Sequence, residues 1–381
     1  MATHLIKNCR TSALSHFLGL SSGAHGVRAL STSVVRDVNV TTKSKKTLSK
    51  NGRKNIVLVE GVRTPFLMSG TDYKDLMPHD LARAAMQGLI DKTNLPRDAV
   101  DHIIYGNVIQ EVKTSNIARE AALGAGFSNK IPCHTVTLAC ISSNVAITSG
   151  MGMIMTDQGD SFIAGGVEFM SDVPIRHSRQ MRKFMLTQNR AKTTGAKLSL
   201  AAKHLSLKAL APELPAVAEF STNETMGHSG DRLAAAFNIS RIEQDEFSMR
   251  SHSLADKASK AGYLDDRLTY QVPGTTKIVD NDNGIRVSSM EQMAKLRPAF
   301  IRPHGTVTAA NASFLTGAPS MDKLNLWGGS LSIGHPFAAT GVRLAMTAAN
   351  RLEREGGQYA LLAACAAGGH GHAMVLEKYP S

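Results

Sequence analysis

From Asn55 onward, short apolar runs alternate with amphipathic stretches. Ile56-Val-Leu-Val-Glu and Val100-Asp-His-Ile-Ile-Tyr read as strands, and Asp80 to Ile90 and Asn116 to Gly124 read as helices. That alternation predicts an α/β sheet with helices on its faces. Val136-Thr-Leu-Ala continues the series as a strand, Ser142 to Met155 as a helix of small residues, and Phe162-Ile-Ala-Gly-Gly-Val-Glu as the next strand. Ser240-Arg-Ile-Glu is a capping box that opens a helix to about Ala261. Gly305-Thr-Val-Thr-Ala-Ala-Asn-Ala-Ser is a small-residue loop that lets a ligand approach the backbone closely. Gly317 to Leu326 has no periodicity. The chain then reads as a helix from Phe337 to Glu355, a buried strand to Ala364, a glycine turn and a last strand from His372 to Tyr379.

One stretch breaks the pattern. Between Val173 and Pro212 there is no acidic residue, while Arg176, Arg179, Arg182, Lys183, Arg190, Lys192, Lys197, Lys203 and Lys208 recur among apolar residues. The segment reads as inserted. It is either a solvated basic face or a surface for phosphates or an anionic membrane.

Composition narrows the class only to globular: of 381 residues, 43% are hydrophobic and 19% charged, which suits one large or two ordinary domains. No apolar run reaches the roughly 18 to 20 residues of a membrane-spanning helix. The net charge of +12 is concentrated toward the first 54 residues, where Lys7, Arg10, Arg28, Arg36, Lys43 and others face a single acid, Asp37. Residues 1–36 hold no Asp or Glu and are rich in Ser and Thr, the composition of a mitochondrial transit peptide; the plainer reading is a disordered basic tail. Residues 1–36 are therefore set aside from the fold, with 37–54 as a basic linker. Cysteines at 9, 133, 140 and 365 form a sparse set that predicts neither a disulfide framework nor a zinc site, so no metal is expected.

Three residues are candidates for chemistry. Cys140 falls between a strand and a helix, where the positive end of the helix dipole is expected to lower its pKa and favour thiolate. Its plain alternative is a buried small hydrophobe. His335, in Gly334-His-Pro, stands before a helix that Pro336 opens and can serve as base or hydrogen-bond donor, or simply as a structural histidine. Cys365 ends an apolar strand before Ala-Ala-Gly-Gly, where the backbone can turn tightly and aim amides at a ligand.

Taken in order, Val62-Arg-Thr-Pro-Phe, Ala139-Cys-Ile-Ser-Ser-Asn, Gly165-Gly-Val-Glu-Phe-Met-Ser, Asn311-Ala-Ser, Gly334-His-Pro and Cys365-Ala-Ala-Gly-Gly resemble the thiolase family, from about Asn55 to Thr316 and from Trp327 to the end. The resemblance implies a layered αβαβα fold of two related halves with an inserted loop domain. The first half would be 55–172, the loop domain 173–290, a return to the first half 291–317 and a shortened second half 318–381. It implies that Cys140 attacks a 3-ketoacyl-CoA with the help of His335, that Cys365 supplies and removes protons, and that Asn311 and Ser313 line the pantetheine path. No permanently bound cofactor is implied; coenzyme A is a co-substrate, and its phosphates are candidates for the basic segment. Implied partners are a second copy and an α subunit carrying hydratase and dehydrogenase activities, with peripheral contact to the matrix side of the mitochondrial inner membrane and no nucleic acid.

The chain departs from the family at one place. Between Thr316 and Trp327 stand about ten irregular residues, fewer than the roughly 10 to 12 of one βαβ crossover, and no Asn-Glu-Ala-Phe or His-Glu-Ala-Phe signature occurs. The departure predicts a truncated second half with unpaired strand edges and an uncovered apolar face. It also raises a second reading, a catalytically impaired thiolase-like variant or interaction subunit. A condensing enzyme of the ketosynthase type is a weaker third, because a second cysteine such as Cys365 is a thiolase feature. Ala338, where the family usually has glycine, is a smaller departure.

Overall fold

The computed structural model describes residues 2–9, 54–204, 207–216, 218–312 and 320–379. The first half comprises β1 (Ala2–Cys9), β2 (Asn55–Arg63), α1 (Pro78–Thr93), β3 (His102–Gly106), α2 (Ile117–Gly124), β4 (Cys133–Val136), α3 (Ser142–Met155) and β5 (Ser161–Gly166). These strands form one sheet in the order β2-β1-β5-β3-β4. β3 runs parallel to β4 and β5, and β1 runs antiparallel to both its neighbours. β2, β3, β4 and β5 therefore all point the same way.

Two-residue periodicity decides which face each strand residue serves. Ile103, Tyr105 and Ile163 enter one core with Leu81, Ala85 and Leu89 of α1 and Ile117 and Ala121 of α2. Ile104, Phe162 and Ala164 enter the opposite core with Ala146, Ile147 and Ile154 of α3. Every residue of β5 is buried, as a strand covered on both faces requires. Each such large apolar side chain contributes about 1.5–3 kcal/mol relative to exposure.

Setting residues 1–36 aside from the fold does not hold for Ala2–Cys9, which occupy the sheet between β2 and β5. The slot is filled by backbone pairing, Lys7 opposite Val57 on one side and Ser161 on the other. Backbone donors and acceptors are common to every residue, so composition does not reveal this placement.

The inserted region contains β6 (Arg176–His177), α4 (Arg179–Arg190), α5 (Thr194–His204), α6 (Leu207–Leu210), β7 (Pro212–Glu213), α7 (Met226–Ala236), α8 (Arg241–Lys260), β8 (Tyr270–Gln271) and β9 (Ile278–Val279), and α9 (Met290–Ala294) begins at its end. α8 opens on the expected box: Ser240 Oγ accepts the Glu243 N–H, and Glu243 Oε2 accepts the Ser240 N–H at 2.7 Å. The region is locked to the sheet by Arg63, whose Nε donates to Asp266 at 3.0 Å and whose two Nη atoms grip Asp282. The described part of 291–317 packs on this region, where Asp231 Oδ1 accepts the N–H groups of Thr306 and Val307.

The chain closes with α10 (Ser330–Ile333), α11 (Thr340–Glu355), β10 (Tyr359–Ala366) and β11 (His370–Glu377). α11 lies against α3, and the contact is close enough that a methyl on Gly341 would fall 2.1 Å from Asn144 Oδ1. The helix begins three residues later than the sequence predicts, because Pro336 O already accepts the N–H groups of Ala339 and Thr340 in a turn. Among the described residues β10 and β11 pair only with each other. The expected buried strand is thus half-exposed: Leu362 is buried, whereas Leu361 is 68% exposed and Val375 67% exposed. No helix among the described residues is long and apolar enough to cross a membrane.

Candidate active site

Four parallel strands end on one side of the sheet, and the residues that follow them gather there. β2 leads into Thr64-Pro-Phe66, β3 into Asn107-Val-Ile109, β4 into Thr137 to Cys140, and β5 into Val167-Glu168. The carboxyl edge of a parallel sheet is where open α/β folds form their ligand crevice.

Cys140 sits in the turn between β4 and α3, two residues before the first helical residue, as the sequence predicts. Ala139 takes φ 42°, the left-handed region that a residue with a Cβ adopts at a cost. Ser142 holds the turn: its Oγ accepts the Leu138 N–H at 2.8 Å and donates to Ala139 O at 2.6 Å. The expectation of a lowered pKa is not met. Burial, the largest influence, pushes the half-buried thiol up, Cys365 and Glu168 push the same way, and the N–H groups of Ala367 and of Cys140 itself pull it down. Desolvation of a thiolate outweighs the amides here.

Cys365, at the end of β10, is exposed and faces Cys140 closely enough to be felt electrostatically. The turn after it delivers the Ala367 amide to the same sulphur, so the second half contributes two groups to the nucleophile.

His335 stands on a different wall. Its Nδ1 lies 2.7 Å from Thr340 Oγ1, while that hydroxyl donates to Pro336 O at 3.0 Å. With the hydroxyl proton so engaged, Nδ1 carries the ring proton and Nε2 is left as an acceptor. Burial first, and then the nearby Arg343 guanidinium, lower the imidazole to about 4, so it is neutral at physiological pH. Among the described contacts none joins His335 directly to Cys140.

Glu168 lies close enough to Cys140 to be felt electrostatically and bonds to the turn that carries His335, and its motif has no assigned role in the sequence. Its Oε1 accepts the Ile109 N–H at 2.9 Å and its Oε2 accepts the Ala338 N–H at 3.3 Å, three residues beyond His335. The available signal was an acid placed directly after a wholly apolar buried strand. Glu168 and His335 line one cavity of about 300 Å³, whose other walls include Phe66, Leu67, Met68, Phe169 and Met170.

Asn311 is buried, with Oδ1 accepting the Thr308 N–H at 2.6 Å and Nδ2 donating to Asp245 at 2.8 Å and to Thr306 O at 3.1 Å. Its amide braces the loop from within. Ser313 lies outside the described residues.

This constellation can be set beside known proteins. Residues 56–321 match the family described as thiolase, N-terminal domain. The chain belongs to the thiolase family. It is 54% identical to the mitochondrial trifunctional enzyme subunit beta of Mus musculus over 438 residues, covering 90% of this chain and 92% of the relative. It is 47% identical to a probable 3-ketoacyl-CoA thiolase of Caenorhabditis elegans, covering 93% and 99%. The first alignment is longer than the 381 residues of this thiolase-family chain, so it passes over positions that have no counterpart here. The crystal structure of the Bacillus anthracis acetyl-CoA acetyltransferase superposes with a TM-score of 0.69, covering 83% of this chain and 96% of that one. At 24% identity that likeness shows the shared fold.

Proposed function

We infer that the chain is a 3-ketoacyl-CoA thiolase, an acetyl-CoA C-acyltransferase, of mitochondrial fatty-acid β-oxidation. The observation that carries this reading is the meeting of Cys140, Cys365 and the Ala367 amide at the carboxyl edge of the sheet. Thiolytic cleavage needs a sulphur nucleophile, a second group to move protons, and donors wherever negative charge gathers.

The neutral His335 accepts the proton of the Cys140 thiol at Nε2 when substrate is bound. The thiolate adds to the 3-keto carbon; the bond between C2 and C3 breaks, and its electron pair stays on C2 as the enolate of acetyl-CoA. Cys365 protonates that carbon and is left as thiolate. It then removes the proton of an incoming CoA thiol, whose sulphur takes the shortened acyl group from Cys140 as His335 returns its proton to the departing Cys140 sulphur. The largely apolar cavity beside His335 suits the alkyl part of the substrate. Asn311, and Ser313 beyond it, belong to the loop read as the pantetheine path.

Relatives named as subunit beta of a mitochondrial trifunctional enzyme support a mitochondrial location and a partner α subunit; to this reading we add a second copy of this chain and the matrix side of the inner membrane. α4 and α5 support peripheral membrane contact, presenting exposed Leu186 and Leu198 among basic residues. The alternative of an interaction subunit without turnover is not favoured by relatives that bear thiolase names. Purified protein given a 3-ketoacyl-CoA and CoA should release acetyl-CoA, and Cys140→Ser should abolish the release. Folded protein that releases none would reject the assignment.

A further inference from the structure

We propose that Glu168 is a positioning residue of the acyl-transfer site, a clamp that fixes the His335 turn to the nucleophile's side of the sheet. The proposal rests on reading Cys140 as the nucleophile.

Glu168 is 5% exposed and carries no side-chain cation partner among its described contacts. Its partners are backbone amides from two places far apart in the chain. Ile109, with Val108 contributing, belongs to the loop after β3; Ala338 belongs to the turn that carries His335. The His335 turn also touches β5 itself, since a methyl on Gly166 would fall 1.8 Å from Ala338 O. A carboxylate is well suited to this place because both its oxygens accept and neither donates. An amide of the same shape would turn an N–H toward one of the backbone donors and leave that donor unsatisfied.

The clamp also carries charge. Burial raises the carboxyl to about 7, against the amides that pull it down, so it changes state within the working pH range. The titratable groups around it are Cys140 from the turn before α3, and His335 and Tyr73 across the cavity. The ionised clamp holds the His335 turn most firmly and at the same time disfavours the Cys140 thiolate. The thiolate therefore forms when substrate is bound and His335 takes up the proton, and less readily in the empty site.

The test uses the full chain and two variants, Glu168→Gln and Glu168→Asp. Turnover, Cys140 alkylation by iodoacetamide located by mass spectrometry, and thermal melting are each followed from pH 5.5 to 9, limits set around the carboxyl's pKa of about 7. Loss of the clamp in Glu168→Gln should lower kcat about tenfold or more with KM changed less than about twofold, the pattern of a misplaced group rather than lost binding. Its alkylation profile should move to lower pH, since a like charge is gone. Glu168→Asp keeps the charge and should keep the pH inflection. A Glu168→Gln protein that keeps the parent's kcat and alkylation profile overturns the proposal. So does equal loss in both variants that tracks their melting. Turnover that survives Cys140→Ser would instead reject the thiolase reading, and the alkylation arm would still report on the clamp.

Discussion

Arg63 and Asp282 meet in a two-pronged ion pair sealed inside the protein, with Nη1 to Oδ1 at 2.6 Å and Nη2 to Oδ2 at 2.9 Å. Asp282 also accepts the Phe66 N–H at 2.7 Å, so the pair ties the end of β2 to the inserted region directly beside the cavity. Burial alone would raise the Asp282 carboxyl, but Arg63 and Arg267 hold it below its usual value. An acid depressed in the folded state contributes stability that is complete above its unfolded pKa, about 3.9, and is lost as pH falls through the folded value. Asp282→Asn leaves Arg63 buried without its main counter-charge and should cost about 3–5 kcal/mol, read from urea midpoints at pH 7. The variant should also lose less stability than the parent on acidification below about pH 4.

His335 titrates in the opposite sense to a surface histidine. Its folded pKa of about 4 lies below the unfolded value of about 6.5, so the unfolded chain takes up the proton first. Stability should be level above that unfolded value and fall as pH drops toward 4, by about 3 kcal/mol. Melting curves of the parent and of His335→Gln across this window should converge at the acid end. A parallel pair of curves would show that His335 is not held neutral.

Thr340 fixes which nitrogen of His335 is bare. Thr340→Val removes the acceptor of the Nδ1 proton while keeping the shape of the side chain. Released from that bond, the ring can place its proton on Nε2, and kcat should fall about tenfold or more, with proton NMR of the imidazole reporting the tautomer. Unchanged kcat would remove the Thr340 contact from the mechanism.

Gly166 stands where the two halves touch. Gly166→Ala puts a methyl into the Ala338 carbonyl, which the backbone cannot yield without moving the His335 turn. The expected loss is at least about 1–3 kcal/mol in chemical denaturation, accompanied by reduced turnover.

The β10–β11 hairpin exposes Tyr359, Leu361 and Val375 on a two-stranded sheet with open edges. Such a surface associates with its own kind. Light scattering should rise with protein concentration, and Leu361→Lys with Val375→Lys should lower it without changing the far-ultraviolet circular dichroism. Scattering that is independent of these residues would place the sticky surface elsewhere.

Sequence alone determined the strand and helix alternation of the first half, the placement of Cys140 between β4 and α3, the capping box of Ser240, and the order of motifs from Val62 to Cys365. These are legible because they rest on local patterning, caps and turns, which act over a few residues. The short stretch between Thr316 and Trp327 was legible too, while the exposure of the β10–β11 hairpin is a finding of the structure. Only the tertiary structure decided that Glu168 joins the loop after β3 to the His335 turn, that Ala2–Cys9 enters the sheet, and that the Cys140 thiol is raised rather than lowered. Each depends on which groups are brought together and how far water is excluded from them, and neither quantity is carried by the spacing of residues along a chain.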